Sequence, residues 1–144
     1  MKPRILVVDD EVEVRNYVWD ILQDSGYAGI CAAGFDEAVR IAADPSVELP
    51  LLLTDIMLPP FHGRDLANRI ALMHPKIKVV FMSGYAPKLL RSHGLLPAKC
   101  SFLCKPFTRS QLLTSLASAQ FHAPTWIAAV SAAQEKWYPG IFRE

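Results

Sequence analysis

A doubly wound α/β domain, with five parallel strands covered by helices on both faces, is predicted by three features of this sequence. Short aliphatic runs recur along the chain, each is followed by a segment of helical spacing, and polar residues capable of chemistry stand where the runs end. The alternation βαβαβαβαβα calls for right-handed crossovers, and strands covered on both faces need no polar alternation.

Ile5-Leu6-Val7-Val8 is the first strand and closes on Asp9-Asp10. From about Glu11 to Ser25, Val14, Val18, Ile21 and Leu22 form one helical stripe, with Glu11 and Glu13 at the positive end and Gly26 as the stop. Ala28 to Ala33 is the second strand; Phe35 to Ala43 is the second helix, ended by Asp44-Pro45. Leu51-Leu52-Leu53, introduced by Pro50, suits a strand buried on both faces that ends at Asp55, ahead of the loop Pro59-Pro60-Phe61-His62-Gly63. A helix from about Arg64 to Met73 turns Leu66, Ile70 and Met73 inward and stops at His74-Pro75. Ile77 to Met82 is the fourth strand, followed by Ser83-Gly84. Pro87 to Ser92 is a short helix, and Cys100 to Cys104 is the fifth strand, leading into Lys105-Pro106. Thr108 caps the last helix of the pattern, about Arg109 to Ala119, with Leu112, Leu113 and Leu116 inward.

At 144 residues the chain fits one domain of ordinary size, and 51% hydrophobic with 20% charged residues describes a globular protein. A net charge of +1 gives no field for steering onto nucleic acid. The first apolar run is too short for a signal-peptide core and no run approaches a membrane span, so a cytoplasmic location with no membrane partner is expected. Cys31, Cys100 and Cys104 are expected as reduced thiols, and the Cys100/Cys104 pair as core cysteines rather than a metal half-site.

In a parallel sheet of this kind the carboxyl edge gathers residues distant in sequence, so Asp9, Asp10, Asp55, Ser83 and Lys105 are expected in one pocket. Three carboxylates at one edge repel one another unless a cation sits among them. An all-oxygen donor set suits Mg²⁺ better than zinc. Carboxylate, Mg²⁺, lysine and hydroxyl together suit phosphoryl groups, and Asp55, standing alone between the others, is the best nucleophile.

Val7-Val8-Asp9-Asp10-Glu11, Leu53-Thr54-Asp55-Ile56-Met57-Leu58-Pro59, Phe81-Met82-Ser83-Gly84-Tyr85 and Leu103-Cys104-Lys105-Pro106-Phe107 resemble, in order and spacing, the four signature segments of two-component response-regulator receiver domains. The resemblance covers roughly residues 3 to 120. It implies a flavodoxin-like (βα)5 fold with strand order 2-1-3-4-5 and a non-enzymatic phosphoacceptor. Asp55 would take a phosphoryl group from a histidine kinase or histidine phosphotransfer protein and so switch contacts with a downstream target protein. Asp10 would bind Mg²⁺ directly, Asp9 through water, and Met57 through its backbone carbonyl. Lys105 would pair with the phosphoryl group, Ser83 would hydrogen-bond it, Phe102 would be the aromatic rotamer switch, and the Lys105-Pro106 bond would be cis. His62 departs from the family, which often has an acidic residue before the loop glycine.

The receiver is assigned to residues 1–122 and a helical extension to 123–144, where Trp126, Ile127, Val130, Ala133 and Trp137 share one helical stripe between Pro124 and Pro139-Gly140. That helix either packs on its own domain or mediates homodimerisation or partner docking. The last helix and its neighbouring strand are a second possible dimer face. No output domain of helix-turn-helix type fits in the extension. The competing functions are a degenerate receiver that only binds partners, and an aspartyl-phosphate phosphatase or phosphotransferase. The latter commonly has a second acid-base aspartate two residues after the nucleophile, where this chain has Met57.

Overall fold

The computed structural model describes residues 2–127. Strands β1 (Arg4–Val8), β2 (Ala28–Ala32), β3 (Leu51–Asp55), β4 (Lys78–Ser83) and β5 (Ser101–Cys104) form one parallel sheet in the order β2-β1-β3-β4-β5. Helices α1 (Val12–Gln23), α2 (Phe35–Ala42), α3 (Gly63–Ala71), α4 (Pro87–Ser92) and α5 (Arg109–Ala119) connect and follow the strands. The predicted fold class and strand order are both present.

Alternation along the strands divides the core in two. Leu6, Val8, Leu52 and Phe81 pack with Ala38 of α2, Leu66 and Ile70 of α3 and Leu90 of α4. Ile5, Val7, Leu53, Val80 and Met82 pack with Val18 and Leu22 of α1 and with Leu112 and Leu116 of α5. β3, at the centre, is buried along its whole length. Each leucine so enclosed contributes about 1.5–3 kcal/mol relative to exposure.

The sheet order reverses between β1 and β3, since the chain runs outward to β2 and then returns to the other side of β1. Such a switch point opens a crevice at the carboxyl ends of the two strands. Val8 is in register with Thr54, and Asp55 with Met82, so Asp9 and Asp55 emerge side by side.

The predicted loop after β3 is more ordered than expected. Met57–Leu58 pairs antiparallel with Phe61–His62, bringing the Pro-Pro turn back on itself, and α3 begins at Gly63. The His62 amide donates to Asp65 Oδ2 at 2.9 Å, so the helix start is capped from within its first turn. Gly63 is required for a different reason: a Cβ there would stand 2.3 Å from the Asp55 carbonyl oxygen. Both Pro59-Pro60 and, as the resemblance implied, Lys105-Pro106 are cis.

One expectation fails. Cys104 is exposed and Cys100 only half-buried, because β5 is an edge strand whose last residue has no neighbour beyond it. Past α5, backbone of helical form occupies 125–127, and Trp126 and Ile127 pack against the core on the α3–α4 side. The rest of the predicted extension helix, with Val130, Ala133 and Trp137, lies outside the described residues. Among the described residues no helix is long and apolar enough to cross a membrane.

Gly63→Ala is expected to lower stability by about 1–3 kcal/mol, the usual range for overpacking a tight site. The midpoint of urea unfolding measures this, and a midpoint equal to that of wild type would contradict the close approach.

Candidate functional site

The crevice is an open cavity of about 930 Å³ lined by Asp10, Asp55, Met57, Ser83, Tyr85 and Lys105, among others. Carboxylate oxygens of Asp9, Asp10 and Asp55 all lie within 4.8 Å of one another. The sequence-predicted acids, hydroxyl and lysine are therefore at one place, delivered by the ends of β1, β3, β4 and β5.

Asp55 is 7% exposed and both of its carboxylate oxygens are engaged. The Met57 amide donates to Oδ1 at 3.0 Å, and Lys105 Nζ donates to Oδ2 at 2.8 Å. Asp9 is fully buried; its Oδ1 accepts from the Glu11 amide at 2.9 Å and its Oδ2 from Lys105 Nζ at 2.6 Å. Asp10 is exposed and makes no side-chain hydrogen bond or ion pair with a described residue. Asp9 and Asp55 thus share one environment, each accepting a backbone amide and the Lys105 ammonium, while Asp10 is open.

Lys105 is the cation among them. Burial alone would lower its pKa, but the hydrogen bonds to Asp55 and Asp9 and the charges behind them outweigh that, leaving it raised above the ordinary lysine value. Its backbone amide donates to the Ser83 carbonyl at 2.9 Å, which ties the β5 exit to the end of β4. Ser83 is buried, and its hydroxyl oxygen accepts from the Tyr85 amide at 3.0 Å. Phe102 is not in the crevice. It is half-buried on the α3–α4 side, in register beside Phe81.

Two supports were not foreseen from the sequence. Arg15 Nη1 donates to the Asp9 carbonyl at 2.7 Å, and the Tyr17 hydroxyl donates to the Phe107 carbonyl at 2.9 Å, fastening α1 to the loop after Lys105. Tyr17 and Phe107 rings also meet, with centroids 5.9 Å apart. Both Arg15 and Tyr17 lie off the apolar stripe of α1, and that position was the only available signal.

The donor set is all oxygen, with no histidine or cysteine in the group, which fits a hard divalent cation such as Mg²⁺ and not zinc. A bound cation would relieve the repulsion that Lys105 now offsets for two of the acids.

The family model of the response regulator receiver domain matches residues 5–117. Sensor kinase CckA of Brucella abortus is 35% identical over 112 residues, which is 78% of this chain but only 12% of that kinase's length. Response regulator receiver protein CpdR of the same organism is 30% identical over 117 residues, covering 78% of this chain and 92% of that protein. The crystal structure of a response regulator receiver protein from Sinorhizobium medicae superposes with a TM-score of 0.71 at 25% identity, covering 83% of this chain and 94% of that one.

Lys105→Ala is expected to cost about 3 kcal/mol at neutral pH, because it leaves two buried carboxylates facing each other without a cation. The folded pKa of Lys105 is above its unfolded value of about 10.4. Its contribution is therefore complete below that pH and is lost as pH rises through the folded value. Urea unfolding from pH 7 to 11 should show a constant gap between wild type and variant that begins to narrow only above about pH 10.4. A gap of the same size throughout would contradict the assignment.

Proposed function

The chain belongs to the response regulator receiver family, and on that premise we propose that Asp55 accepts a phosphoryl group from a histidine kinase or a histidine phosphotransfer protein. Receiver domains are generally signalling modules rather than enzymes, and the output here is a changed set of protein contacts. The observation that carries the reading is the meeting of three carboxylates within 4.8 Å, two of them bridged by one lysine, at the switch point of the sheet.

Asp10 and Asp55, with the Met57 carbonyl, would hold Mg²⁺, and Asp9 would act on it through water. The ion supplies neutralisation of charge on the transferring phosphoryl oxygens. The remaining chemistry belongs to the chain. An Asp55 carboxylate oxygen attacks phosphorus, a P–O bond forms, and the donor's P–N or P–O bond breaks with its electron pair leaving on the donor. Lys105 exchanges its bond to Asp55 Oδ2 for one to a phosphoryl oxygen, so its charge follows the charge being delivered.

The product carries about −1.5 to −2 of new charge. The Ser83 hydroxyl then turns from the Tyr85 amide toward the phosphoryl oxygens, and Phe102 moves inward beside β4. The two states differ in stability by what these contacts contribute, and a partner that favours one is favoured by it in return. Met57, two residues after Asp55, leaves a phosphatase of the aspartyl-phosphate type without its second acid. Asp55, Lys105 and Ser83 together argue against a degenerate module.

Incubation with a small acyl-phosphate donor and Mg²⁺ should add one phosphoryl group by intact mass, and Asp55→Asn or chelation of Mg²⁺ should abolish it. An adduct of equal yield on Asp55→Asn would contradict the assignment.

A further inference from the structure

We infer that the segment following α5 is a built-in strap on the readout side of the sheet, and that phosphorylation at Asp55 loosens it. The inference rests on the phosphoacceptor reading and adds a regulatory element to it.

α4 is only six residues long and buries a single side chain, Leu90, so it leaves part of the layer above β4 open. The strap enters that opening. Trp126 sets its ring against Phe81, with centroids 5.3 Å apart and the planes tilted by 39°. The guanidinium of Arg64, at the start of α3, lies over the same ring at 6.0 Å. Ile127 joins the core cluster beside Trp126, and the Ile127 amide donates to the Pro124 carbonyl at 3.1 Å. Between strap and edge strand a cavity of about 790 Å³ remains, with Phe102 and Trp126 both in its wall.

The link to phosphorylation runs along one strand. Phe81 and Ser83 are two residues apart on β4 and so face the same side. Phe102 stands beside Phe81 in register. When Ser83 is drawn to the phosphoryl group and Phe102 moves inward, both changes reach the seat of Trp126 from its own strand and from the neighbouring one. The aromatic that moves in and the aromatic already there draw on the same space next to Phe81. Seating of Trp126 therefore opposes the phosphorylated state, and by linkage the phosphorylated state opposes seating. Release of the strap uncovers Phe81 and the side of Phe102 to a downstream partner.

The test is hydrogen exchange of the peptide spanning residues 121–127 in wild-type protein, with and without the acyl-phosphate donor and Mg²⁺, with intact mass read on the same samples. Exchange is expected to quicken about fivefold or more in step with the phosphoryl adduct, a typical size for coupled sites. It should stay unchanged in Asp55→Asn given the same donor. Trp126→Ala should raise phosphoryl occupancy at limiting donor by a similar factor. An adduct with unchanged exchange, or faster exchange in Asp55→Asn as well, overturns the strap while leaving the phosphoacceptor reading in place. Unchanged occupancy in Trp126→Ala also overturns it. No adduct in wild type overturns the phosphoacceptor reading itself.

Discussion

The contact of Lys105 with Asp9 and Asp55 is the interaction on which the rest of this structure depends. Two carboxylates cannot be held this close at the end of a buried sheet unless positive charge is brought to them. The lysine that supplies it comes from the far edge. β5 is separated from β3 by β4, two strand spacings or about 10 Å, so the lysine must be aimed inward by its backbone. The hydrogen bond from its amide to the Ser83 carbonyl and the Tyr17 clasp on Phe107 do this. Strand order and the loop after β5 both bear on where one ammonium can reach.

This arrangement is poised because its charges can be reassigned. Asp9 and Asp55 each accept one backbone amide and share the Lys105 ammonium, and Asp10 is exposed with no side-chain partner among the described residues. On the proposed reading, an incoming phosphoryl group would compete for the same ammonium, and an incoming cation would replace what the ammonium offsets. The ends of β4 and β5, joined at Ser83 and Lys105, are the part of the sheet that such exchange would move. Phe81, Phe102 and Trp126 lie along that same part, which is why charge at the crevice and packing on the α3–α4 side belong to one account.

Much of this was legible in the sequence. The triple leucine of β3, the punctuated stripe of α1 and the polar residue closing each aliphatic run determine the fold and gather the site residues, because a parallel sheet puts strand ends together regardless of loop detail. The ribbon at Met57–His62 was not legible, since its pairing depends on a turn geometry that Pro-Pro does not specify. Cys104 misled because aliphatic neighbours suggest burial, while edge position decides exposure. Arg15 and Tyr17 could not be assigned partners, as their acceptors are backbone carbonyls whose direction no pattern encodes. Trp126 was visible as part of an apolar stripe, but no sequence pattern encodes that its ring settles against Phe81.

The most direct measurement is an NMR titration of backbone amides with Mg²⁺ in wild type and in Asp10→Ala, without any phosphoryl donor. The account predicts saturable shifts concentrated at the exits of β1, β3 and β5, the Met57 and Lys105 amides among them, and their loss in Asp10→Ala. Shifts scattered over the surface, or an unchanged titration in Asp10→Ala, would contradict the claim that these carboxylates form one cation site.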